Sequence, residues 1–420
     1  MMDRFDVEGG RPLTGTIECA GSKNGTLPLM AASLLTKGVT ILDNVPHLQD
    51  IFTMAMVMRV IGADVQLENG KLRIDTSHSN FFEAPYELVR KMRASFYVLG
   101  PLIARFGKAK VSLPGGCNLG PRPVNLHLKA FERLGCKIDI DAGYVLAETD
   151  NLKGAVIDLD IASVGATGNI MMAATAAEGT TTIHNAACEP EIEELGRFLT
   201  EMGADVSGAG TPTVEINGPT VLKPVSNWRV IPDRIEAGTL LVAGAITNGR
   251  VTVQNCNPEH LSVFLNKLAD TGADVEISGN DVTVDATNRK LSAVDITTAV
   301  YPGFPTDLQS PWTSLMSVAN GSSTLTEKVY PERFSHVPEL ERLGAKITKE
   351  MNSAHITGVD SLKAASIMCS DIRAAAAIVI AALAAEGQTS VLRVYHLDRG
   401  YERFEDKLNK LGGKVLRVRE

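Results

Sequence analysis

The sequence predicts an α/β protein of two domains, built from six similar units of about seventy residues. Three observations lead to this fold class. The chain has 420 residues, more than one hydrophobic core usually supports, which indicates roughly two domains of about 200 residues. A short phrase around a glycine returns six times along the chain. Between these glycines, helical stretches rich in alanine and leucine alternate with β-branched strand patterns.

The first recurring phrase is an apolar residue or threonine, then glycine, a small or polar residue, a charge and a β-branched residue. Its glycines are 73, 68, 69, 72 and 68 residues apart, at Gly62, Gly135, Gly203, Gly272, Gly344 and Gly412. A second phrase, glycine followed by alternating β-branched residues, has a similar spacing, at Gly38, Gly107, Gly179, Gly249, Gly321 and Gly387. A solenoid is the alternative, but its repeats usually span about 20–50 residues.

Each unit has the same predicted elements in the same order. A helix such as Leu27–Leu35, Ile170–Ala177 or Ala374–Ala385 ends at the second-phrase glycine, which is typical of a helix C-terminus. An alternating strand follows, for example Val39–Leu42 or Val251–Gln254. A second, amphipathic helix then leads to the first phrase, where glycine ends the helix and a β-branched residue begins another strand. We therefore expect βαβαββ-type units with mixed sheets.

The units group into two domains of three. The segment Pro224–Pro232 interrupts the periodicity between the third and fourth units and is a natural crossing between domains. Because each of the six units begins at a helix, the first strand of the chain belongs to none of them. We expect that strand to complete the C-terminal domain. The predicted domains are residues 22–230, and residues 1–21 with 231–420.

Composition narrows the function class. A net charge of −8 argues against a general nucleic-acid partner, which needs a basic face, but allows a small anionic substrate where cations are gathered. The six cysteines form no Cys-x-x-Cys pair and no metal-ligand spacing, which indicates reduced thiols in a cytoplasm. We expect no signal peptide and no membrane anchor, because no apolar stretch is long enough. The oligomeric state stays open.

Charged and polar residues recur just before the first helix of each unit, where the N-terminal N–H groups of a helix attract anions. Any one of them read alone is better explained as a solvated charge at a helix end, but six equivalent positions favour a common cleft. They are Gly21–Gly25, Lys91–Ser95, Ser163–Thr167, Asp233–Glu236, Phe304–Asp307 and Asp371–Arg373.

Two loops after strands are also candidates. The loop 114–123 has three glycines and three prolines around Cys117 and Arg122, a composition typical of a lid. A nearby cation lowers the pKa of a thiol, although Cys117 read alone is better explained as an inert loop cysteine. The second loop, Tyr395–Arg403, concentrates charge and is equally consistent with a surface cluster of ion pairs.

Taken together, these segments resemble the enolpyruvyl transferase family, and within it the branch that acts on UDP-sugars. The likeness runs from end to end. The eight matching motifs are Gly-Ser-Lys-Asn at 21–24, Met-Arg-Ala-Ser at 92–95, Pro-Gly-Gly-Cys at 114–117 with Arg-Pro at 122–123, Ser-Val-Gly-Ala-Thr at 163–167, Pro-Asp-Arg-Ile-Glu at 232–236, Phe-Pro-Thr-Asp at 304–307, Asp-Ile-Arg at 371–373 and His-Leu-Asp-Arg-Gly-Tyr-Glu-Arg at 396–403.

The resemblance implies the two-domain enolpyruvyl transferase fold, an inside-out α/β barrel with three βαβαββ units per domain. It also implies an activity: transfer of the enolpyruvyl group of phosphoenolpyruvate to the 3-hydroxyl of UDP-N-acetylglucosamine, with release of phosphate, in peptidoglycan synthesis. Around His47 the chain departs from the family, since many relatives have a lysine in this stretch. The affinity for the nucleotide sugar is therefore open.

The resemblance also assigns roles to residues. Cys117 is expected to be the general acid and the residue that fosfomycin alkylates, and Asp307 the base for the sugar hydroxyl. Phosphoenolpyruvate is expected to contact Lys23, Asn24, Arg122 and Arg399. The nucleotide sugar is expected to contact Arg93, Arg122, Pro123, Val124, Asn125, Leu126, Ser163, Val164, Gly165, Asp307 and Val329. Arg373 is expected to support the closed state.

The chemistry agrees with these roles. Protonation of the enol carbon makes C2 electrophilic, the sugar hydroxyl adds, and loss of phosphate with a methyl proton restores the vinyl group. This requires an acid, a base and several cations, but no metal and no organic cofactor. Two alternatives stay open: the branch of the same fold that acts on shikimate 3-phosphate, and a non-catalytic paralogue that binds UDP-sugars.

Overall fold

The computed structural model describes residues 3–114 and 124–419, and the chain falls into two compact units. We call residues Gly21–Ile231 the central unit, and residues Met1–Ala20 with Pro232–Glu420 the terminal unit. Each unit has a hydrophobic core of its own, dominated by leucine, isoleucine, valine and alanine side chains. Among the described residues no helix is both long enough and apolar enough to cross a membrane.

The helices and strands alternate along the chain as the repeat predicts. The helices of the central unit are α1 Lys23–Ala32, α2 Gln49–Ile61, α3 Tyr86–Val89, α4 Leu99–Phe106, α5 Asn125–Arg133, α6 Val164–Ala174 and α7 Pro190–Glu201. Those of the terminal unit are α8 Arg234–Ile246, α9 Ser262–Asp270, α10 Gln309–Met316, α11 Val337–Arg342, α12 Ile372–Ala384 and α13 Phe404–Lys410. Short 3-10 helices cover Ser33–Leu35, Arg93–Val98, Pro258–Leu261, Thr306–Leu308 and Val394–Arg399.

The strands are mostly five residues long. From the N-terminus they are β1 Arg4–Glu8, β2 Thr14–Glu18, β3 Val39–Asp43, β4 Asp64–Glu68, β5 Lys71–Asp75, β6 Glu83–Ala84, β7 Lys108–Ser112, β8 Lys137–Asp141, β9 Tyr144–Glu148, β10 Val156–Asp158, β11 Gly179–His184, β12 Asp205–Ser207 and β13 Thr213–Gly218. They continue as β14 Trp228–Arg229, β15 Arg250–Gln254, β16 Asp274–Ser278, β17 Asp281–Asp285, β18 Ile296–Thr297, β19 Ser322–Thr326, β20 Lys346–Glu350, β21 Ser353–Thr357, β22 Leu362–Lys363, β23 Ser366–Met368, β24 Ala385–Glu386, β25 Gln388–Leu392 and β26 Lys414–Val418.

The four-stranded sheets share one topology. In each, the two strands at one edge are parallel and the remaining neighbours are antiparallel. The central unit contains the sheets β14-β3-β5-β4, β6-β7-β9-β8 and β10-β11-β13-β12, and the terminal unit contains β16-β17-β15-β2, β18-β19-β21-β20 and β23-β25-β1-β26. The N-terminal strands belong to the terminal unit, where β2 pairs with β15 and β1 lies between β25 and β26.

The first-phrase glycines have the backbone conformation that the repeat requires. Gly62, Gly135 and Gly203 have φ values of 100°, 91° and 107°, and their three counterparts in the terminal unit have 91°, 95° and 90°. This left-handed region strains any residue with a Cβ atom, so glycine ends the preceding helix at low cost. A strand begins two residues after each of these glycines.

The motifs that precede the first helix of each unit act as caps in four of the six units. Ser22, Ser163, Asp233 and Asp371 accept hydrogen bonds from N–H groups of the first turns of α1, α6, α8 and α12. The other two units differ from the predicted pattern. There the chain first forms the 3-10 helices Arg93–Val98 and Thr306–Leu308, and only then an α-helix.

Candidate functional site

In the central unit, the first turn of α1 presents Lys23 and Asn24. The Oγ of Ser22 accepts a hydrogen bond from the Gly25 N–H at 3.1 Å, which fixes the start of the helix. Lys23 is only 7% exposed, and its Nζ lies 3.2 Å from the Oδ2 of Asp50 on α2. The Asp50 carboxylate therefore holds a buried ammonium group at a helix N-terminus. An anion is attracted there by the ammonium group and by the N–H groups of the helix.

Two of the segments predicted to bind the nucleotide sugar lie next to His127 of α5. Val124, Asn125 and Leu126 directly precede this histidine, and a Cβ at Gly165 would lie 3.4 Å from its Cε1 and Nε2 atoms. Burial first, and then the charge of Arg93, lower the pKa of His127 to about 3. His127 therefore stays neutral and acts as a packing and hydrogen-bonding group.

A buried asparagine fixes the orientation of that histidine. The Nδ2 of Asn169 on α6 lies 3.1 Å from the Nδ1 of His127 and also donates to the Phe96 carbonyl at 3.0 Å. The Oδ1 of Asn169 accepts from the Gly100 N–H at 2.9 Å. Asn169 thus ties α4, α5 and α6 together. The structure therefore places Gly165 beside the imidazole ring of the residue that follows Val124, Asn125 and Leu126 in the chain.

In the terminal unit, two buried arginines hold the carboxylate of Asp307. The Nη1 of Arg333 lies 2.7 Å from Oδ1, and the Nη2 of Arg373 lies 2.9 Å from Oδ2. The side chains of the two arginines are 6% and 5% exposed, whereas that of Asp307 is 24% exposed. The carboxylate is therefore reachable from solvent while its cationic partners are not.

The charge on Arg373 is secured by its surroundings. Burial by itself would lower its pKa, but Asp307 first, and then Tyr401 and Asp233, together outweigh this effect, and the net pKa of Arg373 is raised. Its guanidinium also lies over the Tyr401 ring, 5.3 Å from the centroid. Asp371 caps α12 by accepting from the N–H groups of Arg373 and Ala374, so the helix start that carries Arg373 is rigid.

Glu327, which is fully buried, joins Val329 to this cluster. Its Oε1 accepts from the Val329 N–H at 2.8 Å and from the Tyr330 N–H at 2.9 Å. Its Oε2 accepts from the hydroxyl of Thr306 at 2.8 Å, and Thr306 also accepts from the Nη1 of Arg333 at 3.0 Å. One network therefore positions Val329, Asp307 and Arg333.

Arg399 lies at the end of the 3-10 helix Val394–Arg399. The preceding residue, Asp398, is anchored by Arg417 through two hydrogen bonds of 2.6 and 3.0 Å. Burial first, and then the charge of Arg399, lower the pKa of His396. The loop that looked like a surface cluster is thus partly an anchor for Arg399.

The remaining predicted residues, Cys117, Arg122 and Pro123, lie outside the described residues. The five other cysteines are free thiols. Burial raises the pKa of Cys136 to about 12 and that of Cys256 to about 11, so these thiols are poor nucleophiles at neutral pH. In the described ranges, no three or more His, Cys, Asp and Glu side chains form a group that could hold a metal ion.

Several residues of these clusters were missed from the sequence, among them Arg333 and His127. Arg333 follows strand β19 in the loop Tyr330–Arg333, a position of the same kind as the loops singled out after other strands, so the repeat could have revealed it. His127 carries no such signal, because a single histidine on a helix is usually a packing residue.

Comparison with known proteins defines the class of protein. The model of the family described as EPSP synthase (3-phosphoshikimate 1-carboxyvinyltransferase) matches residues 7–408. The enolpyruvyl transferase NikO from Streptomyces tendae has a TM-score of 0.90 at 26% identity, with 99% of each chain covered. EPSP synthase from Acinetobacter baumannii has a TM-score of 0.76 at 19% identity, which shows a shared fold. The chain therefore belongs to the EPSP synthase family of enolpyruvyl transferases, and the predicted fold class is confirmed.

Among curated relatives, a Chloroherpeton thalassium protein named UDP-N-acetylglucosamine 1-carboxyvinyltransferase is 50% identical over 419 residues, covering 99% of this chain and 97% of the relative. A Desulfosudis oleivorans protein of the same name is 50% identical over 417 residues, covering 99% of this chain and 100% of the relative. A Chlorobium chlorochromatii protein, also of that name, is 51% identical over 419 residues, with 99% of each chain covered.

Proposed function

We propose that this transferase moves the enolpyruvyl group of phosphoenolpyruvate to the 3-hydroxyl of UDP-N-acetylglucosamine and releases phosphate, the first committed step of peptidoglycan synthesis. The observation that carries this proposal is the identity of about half of all residues with relatives of that name over 99% of the chain. The geometry of each unit supports it, because the substrates are anions and each unit contains buried cations, Lys23 in the central unit and Arg333 and Arg373 in the terminal unit.

Asp307 is the proposed base. Guanidinium groups favour the ionised form of a neighbouring carboxyl group, and only that form can take the proton of the sugar hydroxyl. Arg333 and Arg373 each occupy one oxygen of Asp307 at 2.7 and 2.9 Å, which fixes the direction of the remaining lone pairs. The arginines thus reduce the freedom of the base before the substrate arrives.

The remaining residues have proposed roles in binding the substrates and in proton transfer. Lys23, Asn24, Arg122 and Arg399 neutralise the phosphate and carboxylate of phosphoenolpyruvate. Cys117 supplies the proton to the enol carbon. The residues around His127, together with Val329, receive the nucleotide sugar. A tetrahedral phospho-lactyl intermediate forms when the sugar oxygen adds to C2, and it collapses with loss of phosphate and one methyl proton.

We further propose that residues 22–230 and residues 1–21 with 231–420 are the two domains of the fold, and that the enzyme works in the cytoplasm on small molecules, without a nucleic-acid or membrane partner. The described helices and the residue clusters are consistent with this setting.

The experiment is a phosphate-release assay with phosphoenolpyruvate and one of two acceptors. UDP-N-acetylglucosamine should support turnover, whereas shikimate 3-phosphate should not. Turnover with shikimate 3-phosphate alone would assign the chain to the other branch. Phosphate release with neither acceptor, while UDP-N-acetylglucosamine binds in a calorimeter, would favour a non-catalytic sugar-binding paralogue.

A further inference from the structure

Glu194 of α7 is a fully buried carboxyl group with two strong contacts on one oxygen. Its Oε1 accepts from the Ile231 N–H at 2.9 Å and from the Trp228 Nε1–H at 3.2 Å. Its Oε2 has no hydrogen-bond partner among the described residues. A buried carboxyl group that uses only one of its oxygens is costly, so its retention at this place calls for a reason.

The contacts of Glu194 lead to the first turn of α1 by two routes. Ile231 accepts a hydrogen bond from the Ser22 N–H at 2.7 Å, and Ser22 is the residue that caps α1. The second route is direct, because a Cβ added to Gly25 would lie 2.4 Å from the Oε2 of Glu194. Glu194 therefore packs against the backbone of the turn that carries Lys23 and Asn24.

From this geometry we propose that Glu194 is a positioning residue for enolpyruvyl transfer, which holds the first turn of α1 in the place where Lys23 and Asn24 receive phosphoenolpyruvate. This inference rests on the proposed function of Lys23 and Asn24. Glu194 acts through the backbone of Ile231, Ser22 and Gly25. Its removal should therefore affect phosphoenolpyruvate more than the nucleotide sugar, whose proposed contacts do not include the first turn of α1.

The charge of Glu194 bears on the same turn. The pKa of Glu194 is raised from an ordinary 4.5 to about 7, mainly by burial. The hydrogen bonds from Ile231 and Trp228 and the charge of Arg197 lower this pKa, whereas the charge of Glu191 raises it. On the neighbouring elements, Lys23 of α1 is paired with Asp50 at 3.2 Å, and Arg229 beside Trp228 is paired with Asp43 at 3.0 Å. Helix α6 has no charged residue, and Asp205 of β12 is exposed.

Ionisation of Glu194 thus places a negative charge on a buried oxygen that lies against Gly25 and has no donor. The neutral form fits this place better than the charged form. We therefore expect the first turn of α1 to be held best below pH 7 and to loosen as the pH rises above it.

The test compares Glu194→Gln, Glu194→Ala and the matched control Glu193→Gln, which makes the same charge change at an exposed position of the same helix. With Glu194→Ala, the KM for phosphoenolpyruvate should rise about tenfold, as expected for loss of one buried acceptor, while the KM for UDP-N-acetylglucosamine stays within about twofold. Glutamine imitates the neutral carboxyl group, so Glu194→Gln should abolish the part of the wild-type rise in this KM that occurs between pH 6 and 8.5. Glu193→Gln should keep the wild-type profile.

A spectroscopic measurement does not depend on turnover. Because the Trp228 indole donates to Glu194, tryptophan fluorescence of the wild type should titrate with a midpoint of about 7, and this transition should be absent from Glu194→Gln. The proposal is overturned if Glu194→Gln keeps both the wild-type pH profile and the titration, or if Glu194→Ala raises both KM values equally. A wild-type chain without activity on either acceptor would instead refute the proposed function.

Discussion

The buried ion pair between Lys407 and Glu236 offers the sharpest test of how the terminal unit is stabilised. The Nζ of Lys407 lies 2.6 Å from the Oε1 of Glu236, and the two side chains are 15% and 3% exposed. The other oxygen, Oε2, accepts from the Ala20 N–H at 2.7 Å. Substitution Lys407→Met keeps the apolar stem of the side chain but leaves the buried carboxylate without its cation.

We expect Lys407→Met to lower the free energy of unfolding of the terminal unit by about 3–5 kcal/mol, the usual cost of breaking a buried pair from one side. The double variant Glu236→Gln/Lys407→Met should recover most of this, because glutamine can still accept from Ala20 and no charge stays buried. The loss in Lys407→Met should be smaller at pH 5.5 than at pH 8.5. Without Lys407, burial raises the pKa of Glu236 further, and the stability of a group with a raised folded pKa is lost as the pH rises.

The chain contains two tryptophans, Trp228 in the central unit and Trp312 on α10 of the terminal unit. In a Trp228→Phe background, urea unfolding followed by fluorescence therefore reports the terminal unit alone. The reasoning is refuted if Lys407→Met lies within about 1 kcal/mol of its background, or if the double variant is no more stable than Lys407→Met.

Three further predictions concern the active groups. Asp307→Asn should abolish turnover while UDP-N-acetylglucosamine still binds in a calorimeter; loss of sugar binding would instead assign Asp307 a structural role. Arg333→Met should lower kcat by about tenfold or more, since Asp307 then loses one of the two arginines that orient its carboxylate. Arg333→Lys should recover part of the loss, and an unchanged kcat in both variants would show that Arg333 does not act on Asp307. Fosfomycin should add to Cys117 alone, because the described cysteines are mostly buried with raised pKa values; a mass spectrum without an adduct on Cys117 would reject its role as the acid.

Much of the fold could be predicted because the sequence pattern of each element recurs in all six units. Gly62 alone is an ordinary glycine, but six glycines at a spacing near seventy residues predict a shared helix end, and the left-handed φ values confirm it. The 3-10 helices that begin at Arg93 and Thr306 were missed, because segments of six and three residues are too short to show a periodicity.

Site residues could be predicted where a motif is contiguous, and not where partners are distant in sequence. Lys23 and Asp307 lie in recognisable motifs. The contact of Asp307 with Arg333 and Arg373, and that of Glu194 with Ile231, join residues from separate segments. A single sequence carries no signal for such pairs, since any buried carboxyl group could be matched with many cations. Packing alone decides among them.

The central claim is transfer of an enolpyruvyl group by addition and elimination, and its most direct test is the reaction of phosphoenolpyruvate with UDP-N-acetylglucosamine in deuterium oxide, followed by NMR of the product. The account predicts a vinyl ether on the 3-oxygen of the sugar with deuterium in its methylene group, because the enol carbon becomes a methyl group that takes a solvent proton before phosphate leaves. A vinyl ether free of deuterium, or no vinyl ether on that oxygen, would contradict it.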